Sequence, residues 1–317
     1  GGGWWLAVAH DDDDIWLSLT ARDDDAPPPP PPPPRALCSC GVHALWGRER
    51  LQQLNALPVE AAVGAAAEAV GACRRASAAR VLDLSDGPLW SVLLARAGAR
   101  ACCVERSVAA ARLSSRFVAE SGLSDCVDVV PLPECDEDAW AGEPPAALGG
   151  AFDLVVIEPS FSELHRCWAG EQLAAMQSAR QWAEASGVAG RSTPQLPSRA
   201  TLEALLVEAP ALWRRHGPVG EVCGLDLSSF NRLVDADDDA SQTRSLPLWQ
   251  WPHRRVTATT TWATAALPFR GGAAWRWRGE AEFVATAAGT AHAVVAWINF
   301  GAGAGDGDDS LVVRTGP

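Results

Sequence analysis

Arg80-Val81-Leu82-Asp83-Leu84-Ser85-Asp86-Gly87-Pro88-Leu89 decides the fold. An apolar run closes on an acid, the chain turns at Gly87-Pro88, and Leu89 to Ala97 favours helix. Upstream, Val59 to Ala79 is Ala-rich and predicts a helix feeding that strand. Downstream come Ala101-Cys102-Cys103-Val104 closed by Glu105, a helix to about Ser121, Val127 to Val130, and Phe152 to Ile157 ending in Glu158-Pro159. These strands are apolar along their whole length instead of alternating, which predicts an α/β architecture: a parallel sheet covered by helices on both faces. Ligands of such sheets sit at the carboxyl ends of the strands.

Three residues fall at those ends. An acid after the first strand, a glycine-bearing turn and an acid closing the second strand form the arrangement that holds a nucleoside. Asp83, Gly87 and Glu105 occupy these places, and Asp83 and Glu105 are 22 positions apart. The turn departs from Gly-x-Gly-x-Gly: Ser85 is tolerable at the first position, but Leu89 brings a side chain to the third and Asp86 adds negative charge. The alternative is an inherited fold with a filled or vacant pocket. Glu158, at the end of a central strand, stands where a catalytic acid belongs, and it can equally cap a neighbouring helix.

Beyond Leu164 to Ala185, another helical stretch, the pattern changes. Thr201 to Trp213 is apolar, and Leu246 to Trp249, Val256 to Thr261, Glu282 to Val284 and Ala293 to Phe300 are short strand candidates, predicting a mostly β domain from near Arg191. At the other end, Trp4 to Val8 and Ile15 to Leu19 predict two hairpin strands, and the eight prolines before Arg35 favour a solvated, extended segment.

The 317 residues carry 26 Lys+Arg against 39 Asp+Glu, a net charge of −13 that argues against nucleic acid or an anionic membrane as partner. No apolar run reaches the length of a membrane span, so a soluble chain is expected. Nine scattered cysteines in a chain this long point to reduced thiols rather than a disulfide framework. Both ends, Gly1 without an initiator Met and Pro317, read as cut. Cys38, Cys40 and His43 lie within six residues, and His10 joins them if the hairpin forms. Two thiolates and two imidazoles suit tetrahedral zinc, the alternative being free buried thiols.

Together these strings resemble the protein arginine methyltransferase 7 family. The resemblance is carried by His10-Asp11-Asp12, Cys38 to Arg48, Leu54-Asn55, Asp86 to Leu89, Glu105-Arg106-Ser107 and Glu158 to Phe161. It continues in Val207-Glu208, Leu212-Trp213-Arg214, Gly224-Leu225-Asp226, Pro247 to Pro252 and His292 to Trp297. It implies a Rossmann-like methyltransferase domain followed by a β-barrel-like domain. Residues 1–55 would be the end of a preceding module's barrel and a linker, 56–190 the Rossmann-like domain, and 191–317 a truncated barrel. It implies S-adenosylmethionine as cofactor of the whole enzyme, with Asp83, Gly87 and Glu105 toward it in this chain. It implies a structural zinc on His10, Cys38, Cys40 and His43, arginine-rich protein substrates, and a cytoplasmic and nuclear setting. In that family the first module transfers one methyl group to arginine, while the second is a degenerate, built-in dimer partner. Active members pair two glutamates nine positions apart; Glu158 matches the first, but position 167 is Cys167. The chain alone is therefore expected to be inactive.

Overall fold

The computed structural model describes residues 4–10, 15–21, 59–73, 78–132, 140, 144–158, 169–231, 248–268, 280–302 and 311–314. Two compact units result, Gly1–Leu45 and Trp46–Pro317. In the first, β1 (Trp4–His10) and β2 (Ile15–Ala21) form the expected antiparallel hairpin, Trp4 opposite Ala21 and His10 opposite Ile15.

The second unit begins with α1 (Val59–Cys73), β3 (Arg80–Asp83), α2 (Leu89–Arg96), β4 (Arg100–Glu105) and α3 (Val108–Glu120). It continues through β5 (Val127–Pro131), β6 (Leu154–Val156), α4 (Ala169–Ala185) and β7 (Gln195–Leu196). The strands make one parallel sheet in the order β5-β4-β3-β6-β7, with Leu82 beside both Cys102 and Val155. The chain steps outward from β3 to β5, then returns to the other side of β3. The β3/β6 boundary is thus the topological switch point. Val81, Leu82, Cys103 and Val155 are sealed from solvent, as strands covered on both faces must be. On α3 the buried positions are Ala111, Ser114 and Val118, one helical face, and Ser107 caps its start by accepting from the Ala110 N–H. Arg80 anchors the opposite, amino edge: its guanidinium donates to the carbonyls of Leu148, Gly149 and Ala151 and lies 4.6 Å from the Phe152 ring.

β8 (Arg199–Glu208) starts a second, antiparallel sheet and is followed by α5 (Pro210–His216) and a two-rung hairpin of β9 (Glu221–Val222) and β10 (Leu225–Asp226). β11 (Arg254–Arg255) and β12 (Thr260–Ala266) share one edge of β8; β13 (Ala293–Gly301) takes the other and pairs with β14 (Leu311–Arg314). Two strand expectations fail, and a third holds only in part: of Val256 to Thr261, only Thr260 and Thr261 are strand, as the start of β12. Leu248–Gln250 is a 3-10 turn, since Pro247 and Pro252 withhold ladder donors on either side. Residues 282–284 make no strand: Thr257 meets Ala285 at a single bridge, flanked by the Ala258 N–H donating to the Val284 carbonyl and the Thr286 N–H donating to the Val256 carbonyl. Ala200, Leu267, Ile298 and Phe300 of this region join the core of the parallel sheet, while Leu205, Val207, Ala209 and Leu212 form a smaller core of their own. Among the described residues no helix is long and apolar enough to cross a membrane.

Candidate functional site

The carboxyl edge of the parallel sheet gathers three buried acids. Asp83 ends β3, Glu105 ends β4, and Glu158 lies two residues beyond β6. Asp83 and Glu105 each answer a different local need.

Asp83 caps a helix at a distance. α2 begins after Pro88, which offers no side-chain cap, and its first turn contains no acid. The Ser91 N–H and hydroxyl both donate to Asp83 Oδ2, at 2.8 and 2.7 Å, and the Ser85 N–H donates to Oδ1 at 3.1 Å. These donors satisfy a helix N-terminus that would otherwise be left open, and the helix dipole favours an anion there. Burial still pushes the Asp83 carboxyl above its ordinary value, against the pull of the Ser85 and Ser91 hydrogen bonds.

Glu105 is tied to α3. Its Oε1 accepts from the Ser114 hydroxyl and from the Cys103 thiol, the latter at 3.5 Å. Burial raises its pKa to about 7; the Ser114 and Cys103 hydrogen bonds oppose this, and the charges of Asp83 and Asp86 add to it. Burial also holds the Cys103 thiol well above its usual range and pushes Cys102 up to about 12, so neither is an activated nucleophile.

Gly87 is buried with φ of 89°, the left-handed conformation that the turn requires and that glycine accepts without strain. Leu89 opens α2 half-buried. Asp86 differs from expectation: Arg106 pairs with it at 2.6 Å and offsets the charge it was expected to bring to the turn. The Glu158 N–H donates to Ser85 Oγ at 2.9 Å. Sequence reasoning placed the acids but missed the serines that serve them. Ser91 could have been found as the third residue of a helix lacking its own cap, and Ser114 by its place on the buried stripe of α3.

Of the zinc set, His10 ends β1, whereas Cys38, Cys40 and His43 lie outside the described residues, as does Cys167. Among the described residues no cluster of three or more His, Cys, Asp or Glu could hold a metal.

No family model matches the chain. The solved structures it resembles place its fold among the protein arginine methyltransferases. The Trypanosoma brucei PRMT1 enzyme–prozyme heterotetrameric complex with AdoHcy aligns at a TM-score of 0.55 and 17% identity, covering 86% of this chain and 78% of that one. Arabidopsis thaliana protein arginine methyltransferase 10 aligns at 0.52 and 14%, covering 84% and 76%. The curated relatives narrow this. Protein arginine N-methyltransferase 7 of Rattus norvegicus is 28% identical over 231 residues, 70% of this chain and 31% of that protein. The Aedes aegypti and Danio rerio proteins of the same name are each 26% identical, over 68% and 70% of the chain. The resemblance to the protein arginine methyltransferase 7 family is shown by these relatives. The chain spans 31% of the length of the first of them, about a third.

Proposed function

We propose that the chain corresponds to the C-terminal half of a protein arginine methyltransferase 7-like enzyme and serves as a non-catalytic partner of the preceding module. In this reading S-adenosylmethionine-dependent monomethylation of arginine-rich proteins, histones among them, belongs to that preceding module. One observation carries the reading. The acids that should receive a nucleoside are committed inward, Asp83 through both oxygens and Glu105 through Ser114 and Cys103. A ribose-binding carboxylate must accept from the sugar hydroxyls, and Glu105 Oε1, one of the two oxygens it would offer them, is already taken by Ser114 and Cys103, which counts against uptake of the cofactor.

Glu158 is then a remnant. Holding a planar guanidinium in fixed orientation calls for paired carboxylates, and position 167 supplies a thiol, a poor acceptor. The antiparallel region is read as the barrel-like domain of the family. Its β9–β10 hairpin, with Val222, Leu225 and Phe230 exposed, offers apolar surface to the preceding module. The zinc on His10, Cys38, Cys40 and His43, and the cytoplasmic and nuclear setting, belong to the same proposal; metal analysis of the purified chain and of Cys38→Ser tests the former.

Calorimetry with S-adenosylmethionine and transfer from its labelled methyl group to arginine-rich peptides test the functional reading. Neither binding at micromolar ligand nor labelled product is expected from this chain, and none from Cys167→Glu. Labelled product that disappears in Glu158→Gln would move the reading to an active second site.

A further inference from the structure

Ser85 stands where the nucleoside-holding turn has its first glycine, and by sequence alone it passes as harmless. The structure gives its hydroxyl a definite task. β3 and β6 flank the switch point, and ligands of open parallel sheets enter between the loops leaving such a pair. Ser85 lies on the loop after β3 and Glu158 on the loop after β6, both buried. Between these loops the Glu158 N–H donates to Ser85 Oγ at 2.9 Å, while the Ser85 N–H donates to Asp83 Oδ1 at 3.1 Å. The run from Glu158 through Ser85 and Asp83 to Ser91 joins β6, β3 and the start of α2. With glycine at 85, the N–H to Asp83 would remain, but the Glu158 N–H would lose the hydroxyl as its acceptor, a place that water or a bound ligand could take.

We propose that Ser85 is an internal stand-in for a ligand. Its hydroxyl accepts from the Glu158 N–H and ties the two switch-point loops together, so that an adenosyl amino acid must displace a buried hydrogen bond to enter. This rests on the reading that the module does not take up the cofactor, and supplies a cause beyond Leu89.

The test uses the 317-residue chain unaltered and as Ser85→Ala, Ser85→Gly and Ser85→Thr. Hydrogen exchange at the Glu158 amide and S-adenosylhomocysteine binding by calorimetry are the readouts. Removing the hydroxyl in Ser85→Ala should speed Glu158 exchange by about tenfold, the worth of one buried hydrogen bond. Ser85→Gly should do the same and bind S-adenosylhomocysteine about tenfold more tightly than the unaltered chain, and Ser85→Thr should match that chain in both. A folded Ser85→Ala whose Glu158 amide stays as protected as before overturns the proposal. So does a folded Ser85→Gly with no gain in affinity, and either result leaves the functional reading standing. Micromolar binding by the unaltered chain overturns both.

Discussion

The carboxyl edge of the parallel sheet and the excursion from α5 through the β9–β10 hairpin treat their chemistry in opposite ways. At the sheet edge three acids are buried; serines and a backbone amide donate to the Asp83 and Glu105 carboxylates, and the Glu158 N–H donates to Ser85. On the excursion large apolar groups face solvent: Trp213 is 49% exposed, Phe230 54% and Leu225 64%. Buried polar groups must find partners within the fold, whereas exposed apolar groups gain by finding one outside it. The region placed for chemistry has been turned to holding the fold, and the region placed for contact remains open.

The largest expected effect tests whether both regions rest on one body. Phe300 lies on β13 of the antiparallel sheet, yet its ring is fully buried in the core of the parallel sheet. Phe300→Ala should destabilise the chain by about 3–5 kcal/mol, the range for deleting a buried aromatic ring, and do so in one transition. Denaturant unfolding followed by tryptophan fluorescence and by far-UV circular dichroism should give coincident curves. Separate transitions would mean that the two sheets unfold independently.

A smaller effect concerns the acidic edge. The Glu105 pKa is about 7 in the folded chain against an ordinary 4.5, so the folded state holds its proton more tightly than the unfolded state. The resulting stabilisation is full below about pH 4.5 and is lost as pH rises through about 7. Glu105→Gln keeps an acceptor for Ser114 and Cys103 but cannot ionise. Relative to the unaltered chain, it should gain about 2–3 kcal/mol of stability between pH 4.5 and pH 8. Parallel melting curves for the two proteins across that range would show that Glu105 is solvated and its edge is open.

The sequence carried the parallel sheet well, because unbroken apolar runs closed by acids at Asp83 and Glu105 leave few alternatives. Its strand order followed once the chain returned to β6 beside β3. The antiparallel region was less legible. Prolines converted the Leu248 segment to a 3-10 turn, and the segment at 282–284 is left with a single backbone bridge, Thr257 to Ala285, that no local pattern displays. At the site, positions were legible and partners were not. Whether Asp83 faces a ligand or caps α2 depends on Ser91 standing beside it in space, eight residues along the chain. Arg106, twenty residues from Asp86, likewise changes what that acid contributes.

The smallest effect on stability falls on the exposed excursion, and there the smallness is informative. Leu225 and Phe230 stay 64% and 54% exposed, so replacing both with serine removes only their covered part, and the change should stay within about 1–2 kcal/mol. The hairpin itself is held by other means. Asn231 clasps Val219, its Oδ1 accepting from the Val219 N–H at 2.9 Å and its amide donating to the Val219 carbonyl at 2.7 Å. The Leu227 N–H donates to the Gly220 carbonyl at 3.1 Å, and Cys223 and Gly224 take the positive φ values that a two-residue turn demands. None of these bonds uses the two apolar side chains. If the excursion is a contact surface, Leu225→Ser/Phe230→Ser should lower melting of this chain only slightly while weakening its co-purification with a separately expressed preceding module by about tenfold or more, since a few buried apolar anchors dominate such interfaces. A double variant that melts markedly earlier would place these side chains in the interior. One that binds the module undiminished would remove the excursion from the contact and with it the contrast between the two regions.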